Sequence, residues 1–137
     1  MLIVAFWHFS EQMIYFDEKI ERTLLKYVYK DPQYVESILL ASSGFNIAFT
    51  DFNIQCNETV IGYIDKVLYE WDDAPNTAPW GALGRQRAID VKLQSPRYLR
   101  ISFESGDYLD IETCESQYES VIFNFPPESE SYVMEIY

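Results

Sequence analysis

Lysine and arginine are absent from the last 37 residues of the chain, a segment that holds nine carboxylates. A segment with charges of only one sign repels nucleic acid and anionic membrane surfaces, and it attracts a basic partner. The whole chain of 137 residues carries a net charge of −12. Since nucleic-acid binding requires a basic footprint, we expect a protein that binds neither nucleic acid nor membrane.

Half of the ten cations stand together just before this acidic segment, between residues 85 and 100. They are Arg85, Arg87, Lys92, Arg97 and Arg100. Two interpretations are open. These cations either pair with carboxylates on neighbouring strands or give one region of the surface a polarised charge distribution.

Nitrogen and sulfur ligands for metals are scarce. The chain has two cysteines, Cys56 and Cys114, and one histidine, His8. A tetrahedral zinc site needs about four such ligands, so we expect neither a metal nor another cofactor. A small secreted scaffold would be richer in cysteine, so we expect two free thiols in a reducing compartment.

Long apolar runs are also missing. No segment approaches the roughly 18 apolar residues that a membrane-spanning helix needs. The apolar start of the chain, residues 1–9, lacks the basic region of a signal peptide and is interpreted as a buried strand. We therefore expect a cytoplasmic protein.

The residue patterns of common catalytic sites are not found. His8 lies inside an apolar run, which favours a core histidine over a catalytic base. The glycines at 81 and 84 are not followed by the lysine and the serine or threonine of a phosphate-binding loop. Neither Cys56 nor Cys114 has a cation nearby in sequence to lower the pKa of its thiol. The sequence predicts no catalytic residue and a protein that is not an enzyme.

What the sequence does contain is apolar and aromatic material for a core. Apolar residues make up 48% of the chain and aromatic residues 17%. Disordered chains are poor in aromatic residues, so this chain folds. We predict one α+β domain over residues 1–137, predominantly an antiparallel β-sheet with one N-terminal helix. Residues 1–42 form its strand-and-helix region, and residues 43–137 form its β-rich core.

The predicted helix covers residues 16–29. Ile20, Leu24 and Val28 recur at a spacing of four, which is typical of an amphipathic helix. Residues 26–30 are equally compatible with a strand, because aromatic and β-branched side chains occupy its three central positions, 27–29.

Alternation of apolar and polar residues predicts strands over 87–94, 98–104 and 108–113. Ser105-Gly106-Asp107 supplies a turn between the last two. Pairing Phe103 with Leu109 would place Arg100 opposite Glu112 on the outer side of the sheet.

The remaining strands are predicted from composition and turn residues. They cover 34–41, 45–56 as one or two strands, 59–71 with a turn near Asp65-Lys66, 119–125 ending at Pro126-Pro127, and 132–137.

Residues 72–86 form the one long irregular stretch, because it contains two prolines and two glycines. Long loops in compact domains are usually functional. This loop presents Trp80 and Arg85, whose residue types are enriched at binding hot spots. Trp80 either takes part in binding or fills a hydrophobic edge and pins the loop.

Three segments of the second half carry a resemblance to known proteins. They are Ser95–Phe103 (SPRYLRISF), Gly106–Glu112 (GDYLDIE) and Gln117–Ser120 (QYES). The chain resembles, over residues 43–126, small bacterial proteins of which some look like immunity proteins of contact-dependent or polymorphic toxin systems. This resemblance implies a cytosolic protein that inhibits a toxin by binding it.

The charge pattern is compatible with such a role. Toxins that degrade nucleic acid need basic grooves, and an acidic inhibitor can cover such a groove. The predicted partner is therefore a basic protein, a toxin domain such as a nuclease. The predicted partner-binding residues are the carboxylates Glu104, Asp107, Asp110, Glu112, Glu115 and Glu119, with Trp80 and Tyr118 as apolar anchors and Arg85 from the loop.

A second hypothesis is a module that binds a small ligand. Residues 72–86 would then cover an aromatic pocket near Trp71 and Trp80.

Overall fold

The structure is a computed structural model that describes residues 15–41, 44–71, 78–113, 121–128 and 131–136, with side chains up to residue 125. Within these ranges the chain forms one α-helix, α1 (Glu18–Lys30), one short 3₁₀ helix (Trp80–Leu83) and ten β-strands. Every described strand pair is antiparallel. The predicted α+β class with a predominantly antiparallel sheet is confirmed.

The strands are, in chain order, β1 (Gln33–Ala41), β2 (Gly44–Phe49), β3 (Asn53–Cys56), β4 (Val60–Ile64), β5 (Val67–Trp71), β6 (Arg87–Ser95), β7 (Tyr98–Phe103), β8 (Tyr108–Glu112), β9 (Val121–Glu128) and β10 (Ser131–Ile136). They form a single sheet in the order β10-β9-β3-β2-β1-β6-β7-β8-β4-β5.

Strand β1 joins two halves of this sheet. Its residues from Val35 to Ala41 pair with β2, whereas only Gln33 and Tyr34 pair with β6. The register with β2 shifts between Val35 and Ser37, as at a β-bulge, and bulges bend a strand. Beyond Ala88, no strand within the described ranges pairs with the edge of β6 that faces β1.

The inner faces of the two halves meet in the core. The ring of Phe45 on β2 contacts that of Trp71 on β5, with centroids 5.9 Å apart. Phe49 on β2 stacks against Phe103 on β7 at 6.4 Å. All four side chains are almost fully buried, so the core lies between the halves.

Helix α1 closes the open side between the halves. Ile20, Leu24 and Val28 are buried, as their spacing predicts. The side chain of Asp17 caps the helix by accepting the N–H of Ile20 at 3.1 Å. The helix continues to Lys30, so the alternative of a strand over residues 26–30 is wrong. The period-four burial outweighs the local β-propensity there.

Aromatic contacts tie the helical segment to β9. The ring of Phe16 packs edge-on against that of Phe123 at 6.0 Å, and Tyr27 stacks on Phe125 at 5.1 Å. On the other side, the N–H of Phe16 donates to the carbonyl of Pro96, just after β6, at 2.8 Å. The helix therefore contacts both halves of the sheet.

Strands β6, β7 and β8 lie where the alternation predicts them, but one predicted register is wrong. Phe103 does not face Leu109, and Arg100 lies opposite Asp110 instead of Glu112. The pairing is shifted by two residues. A shift of two keeps every side chain on its predicted face, because the period of a strand is two.

The turn between β7 and β8 explains the shift. The N–H of Phe103 donates to the carbonyl of Asp107 at 2.9 Å, so only residues 104–106 form the loop. Gly106 adopts a φ of 98°, which completes a three-residue hairpin loop. The predicted turn, residues 105–107, has the same length but lies one residue further along the chain, and this displacement moves the register by two.

Strand β9 does not end at Pro126-Pro127 but continues to Glu128. Strand β3 pairs with β9 only from Val121 to Asn124, so the prolines lie where no N–H is needed on that side. Strand β10 confirms the predicted last strand. Glu119 lies outside the described residues, and so do residues 1–14 with the strand predicted there.

The predicted irregular loop is partly regular. Residues 72–77 are not described, but Trp80–Leu83 form the 3₁₀ helix, which corrects the prediction that two prolines and two glycines exclude regular structure here. Short 3₁₀ helices tolerate glycine and a preceding proline. In the described part of the chain, no helix is long and apolar enough to cross a membrane.

Candidate protein-binding surface

The outer face of strands β6, β7, β8, β4 and β5 carries large side chains in ordered rows. Register places one row across it, namely Asp90, Ser102, Tyr108, Tyr63 and Leu68. A second row contains Lys92, Arg100, Asp110, Ile61 and Glu70. We call the group at its centre the tyrosine–carboxylate patch, defined as Tyr63, Tyr98, Arg100, Tyr108, Asp110 and Glu112.

Two tyrosines form the middle of the patch. The rings of Tyr63 and Tyr108 stack with centroids 4.9 Å apart and planes 15° apart. Both side chains remain partly exposed. The guanidinium carbon of Arg100 lies 3.9 Å from the centroid of the Tyr108 ring, which is a cation–π contact. Two rings and a guanidinium thus form one packed layer on the sheet.

Arg100 is held from its other side by Asp110. Nε donates to Oδ1 at 2.8 Å and a terminal nitrogen donates to Oδ2 at 2.9 Å. This bidentate geometry is the strongest form of an arginine–carboxylate pair. The hydrogen bond to Asp110 raises the pKa of the Arg100 guanidinium, against an opposing effect of burial. The Asp110 side chain keeps only 12% of its surface exposed, and that of Arg100 keeps 31%.

Tyr98 and Glu112 face each other at the end of the patch. The hydrogen bond of the Tyr98 hydroxyl to the Glu112 carboxylate, followed by partial burial, raises the pKa of Tyr98 to about 12. The Tyr98 hydroxyl therefore keeps its proton at a higher pH than an ordinary tyrosine.

The predicted partner-binding carboxylates that the structure describes include both exposed and buried side chains. Asp110 and Glu112 lie in the patch, and Glu104 is exposed in the turn between β7 and β8. Asp107 is buried and accepts the N–H of Asp65 at 3.0 Å and an N–H of Gln86 at 2.8 Å. Its carboxylate joins two turns inside the protein. Glu115, Tyr118 and Glu119 lie outside the described residues.

Trp80 is part of the core. It is 3% exposed, and its ring packs edge-on against Phe45 at 5.1 Å. A Cβ placed on Gly62 would lie 2.5 Å from Cζ3 of Trp80, so the indole occupies the space that a side chain would need. Trp80 therefore fills a hydrophobic edge and pins its loop, the second of the two interpretations of the sequence.

Arg85 is exposed in the turn just before β6. Its backbone N–H donates to the carbonyl of Val35 at 2.7 Å, and its φ is 68°. Of the basic cluster, Arg100 pairs with a carboxylate on a neighbouring strand, whereas Arg85, Arg87, Lys92 and Arg97 are exposed.

The space near the two tryptophans is filled by protein. Trp71 is 2% exposed, and both tryptophan rings pack against Phe45. A cavity of about 350 Å³ lies elsewhere, on α1, where Thr23, Lys26, Tyr27 and Lys30 line it. The described part of the loop, residues 78–86, therefore covers packed core side chains at Trp80.

Metal and thiol chemistry find little support in the described ranges. They contain no group of three or more histidine, cysteine or acidic side chains that could hold a metal ion. Cys56 is buried, and burial raises the pKa of its thiol to about 12. A thiol in that setting is inert at neutral pH. His8 and Cys114 lie outside the described residues.

Comparison with known proteins adds no relative. No protein-family model matches the chain, and neither a curated protein nor a solved structure is significantly similar to it. The resemblance to immunity proteins stays a prediction.

Sequence reasoning missed four members of the patch, namely Tyr63, Tyr98, Arg100 and Tyr108. A signal for three of them was present, because Tyr98, Arg100 and Tyr108 occupy the polar positions of alternating strands. An aromatic ring at an outward position is a feature of binding surfaces. The neighbouring position of Tyr63 follows only from the pairing of β4 with β8.

Proposed function

We propose that this protein binds and neutralises a basic protein partner, in the manner of an immunity protein that blocks a toxin domain. We propose the tyrosine–carboxylate patch as the contact surface. The observation that carries the proposal is the layer in which Tyr63 stacks on Tyr108, Arg100 covers Tyr108, and Asp110 holds Arg100.

This layer has the composition of a binding hot spot. Tyrosine and arginine are enriched there because they bury a large area and also make hydrogen bonds. The stack and the bidentate pair already restrict these side chains, so binding loses less conformational entropy than it would with free rotamers. A partner would meet a rigid aromatic platform.

The charges around the platform favour a basic partner. Four carboxylates on three strands share this outer face, namely Glu70 on β5, Asp90 on β6, and Asp110 and Glu112 on β8, and the whole chain carries a net charge of −12. Complementary charge speeds encounter and excludes acidic partners, and its effect weakens with salt. The same charge disfavours nucleic acid.

The proposal is tested by growth protection. Reading frames beside this gene are searched for a basic toxin domain, and each candidate is co-expressed with the wild type or with Tyr63→Ala/Tyr108→Ala. We expect the wild type to restore growth and the double variant to lose protection. Tyr29→Ala is the matched control, because Tyr29 is 70% exposed on α1, away from the patch.

Calorimetry at several salt concentrations measures the electrostatic contribution to the binding free energy. The dissociation constant of the wild type should rise by roughly tenfold or more when ionic strength increases from low to high values. A wild type that neither protects nor binds, or a control variant that fails as badly as the patch variant, would contradict the proposal.

A further inference from the structure

Strand β5 is one end of the sheet. It pairs with β4, and among the described residues no strand lies on its other side. Val67 is 50% exposed and Leu68 is 62% exposed. An edge strand with apolar side chains is a template for pairing with another chain unless a proline, a bulge or a covering element blocks it. The residues of β5 include no proline, and its pairing with β4 shows no bulge.

The turn that leads into β5 fixes which backbone groups point outward. Asp65 and Lys66 both have positive φ, 49° and 69°, as in the type I′ turn of a two-residue hairpin loop. In such a hairpin the residues that flank the loop, Ile64 and Val67, form a hydrogen-bonded pair, and pairs then alternate. Val67 therefore directs its N–H and C=O toward β4, and Leu68 directs its own away from β4.

We infer that two copies of the chain pair antiparallel through β5, about a two-fold axis at Leu68. Leu68 would then face Leu68 of the second copy as a hydrogen-bonded pair, because both present their backbone groups outward. Val67 of each copy would face Tyr69 of the other. The two sheets would become one continuous sheet of twice the width.

Charge complementarity selects this register. With Leu68 on the axis, Lys66 in the turn just before β5 lies opposite Glu70 of the other copy, and both side chains are exposed. This places two opposite charges near each other on either side of the axis. Moving the axis to Tyr69 would place Leu68 opposite Glu70, and moving it to Val67 would place Lys66 opposite Leu68. Neither of those registers pairs the charges.

Charge exchange tests the register. Lys66→Glu and Glu70→Lys each place two like-charge pairs across the axis, so each should weaken dimerisation roughly tenfold or more in sedimentation equilibrium. The double variant Lys66→Glu/Glu70→Lys should regain most of the wild-type association. Lys26→Glu on α1 changes the net charge equally but lies away from β5, so it should leave dimerisation within about threefold. Thermal unfolding of each variant shows whether it remains folded.

A covalent trap gives an independent readout. Facing residues of a hydrogen-bonded pair have Cα atoms about 5.5 Å apart, within the range that a disulfide spans. In a Cys114→Ser background, Leu68→Cys should form a disulfide-linked dimer under mild oxidation. Leu39→Cys is the matched control, since Leu39 is 63% exposed on β1, and it should cross-link far less.

Three results would overturn the inference of a dimer through β5. A wild type that remains monomeric up to about 1 mM, or a double charge variant that associates no better than the single variants, overturns the inference. Equal cross-linking of Leu68→Cys and Leu39→Cys also overturns it. The inference does not depend on the proposed function, because Tyr63→Ala/Tyr108→Ala should still dimerise.

Discussion

The carboxylate of Glu21 on α1 accepts the backbone N–H of Leu93 on β6 at 2.7 Å. Among the residues that the structure describes, no strand pairs with the β1-facing edge of β6 at this point, because β1 pairs with β6 only through Gln33 and Tyr34. The helix side chain supplies the acceptor that the carbonyl of a neighbouring strand would otherwise provide. Covering an edge in this way prevents it from pairing with another chain.

Removing this acceptor should destabilise the fold. Glu21→Ala leaves a partly buried N–H without its partner, so we expect a loss of about 1–3 kcal/mol in the free energy of unfolding. Glu21→Gln keeps an acceptor oxygen and should lose less. Urea unfolding measures both, and hydrogen exchange at the Leu93 amide should accelerate in Glu21→Ala. Glu36→Ala, an exposed position on β1, serves as the control; an equal loss there would contradict the role of Glu21.

Gly62 and Trp80 should behave as a coupled pair. A methyl group on Gly62 would lie 2.5 Å from Cζ3 of Trp80, so Gly62→Ala should cost about 1–3 kcal/mol by overpacking. Gly81→Ala meets no atom within 4 Å and should be nearly neutral. Trp80→Phe removes the clashing atom, so Gly62→Ala should cost less in that background. A double-mutant cycle by thermal unfolding measures the coupling energy between the two positions. Additive effects would contradict the prediction that contact with Trp80 causes the loss of stability in Gly62→Ala.

Asp107 should affect stability more than partner binding. Asp107→Ala leaves the Asp65 N–H and the Gln86 amide without their acceptor, and we expect a loss of about 1–3 kcal/mol. Glu104→Ala in the same turn is exposed and should change stability by less than about 0.5 kcal/mol. Chemical denaturation tests both. If Asp107→Ala were as stable as the wild type, the carboxylate would be available for a partner after all.

Tyr98 should lose its proton at a higher pH than an ordinary tyrosine. Its pKa rises from 10.0 to about 12 through the hydrogen bond to Glu112, so the folded protein holds this proton more tightly than the unfolded chain. The resulting stabilisation is complete below pH 10 and is lost as the pH rises toward 12. Tyr98→Phe should remove this part of the pH dependence. The difference between the absorbance titrations of wild type and variant gives the midpoint, and one near 10 would contradict the hydrogen bond.

Local patterns predicted the elements and faces of β6, β7 and β8 because alternation decides which side of a sheet a residue occupies. They did not predict the register, because the position of the turn decides it. The expected turn, residues 105–107, starts one residue later than the observed loop 104–106, in which Gly106 adopts a φ of 98°. Asp110 and Glu112 therefore share the predicted outer face, but Arg100 pairs with Asp110.

The arrangement of the two sheet halves had no local signal. Cys56 pairs with Val121, and Tyr63 with Tyr108, across long stretches of chain. Periodicity identifies a strand but not the strand that pairs with it, so the stack of Tyr63 on Tyr108 could not be predicted from the sequence. The burial of Trp80 was one of two stated alternatives, because a tryptophan in a loop suits either a hot spot or a core.

The strand order also governs when the protein can fold during translation. Strands β3 and β4 follow one another in the chain, yet their partners β9 and β8 are made much later. A nascent chain that has reached residue 71 already carries strands β1 to β5, and three of them, β1, β3 and β4, still lack a neighbouring strand on one edge. Contacts between residues far apart in sequence form slowly, and such edges invite aggregation meanwhile. We expect synthesis of this protein to depend on ribosome-associated chaperones more than its modest size would suggest.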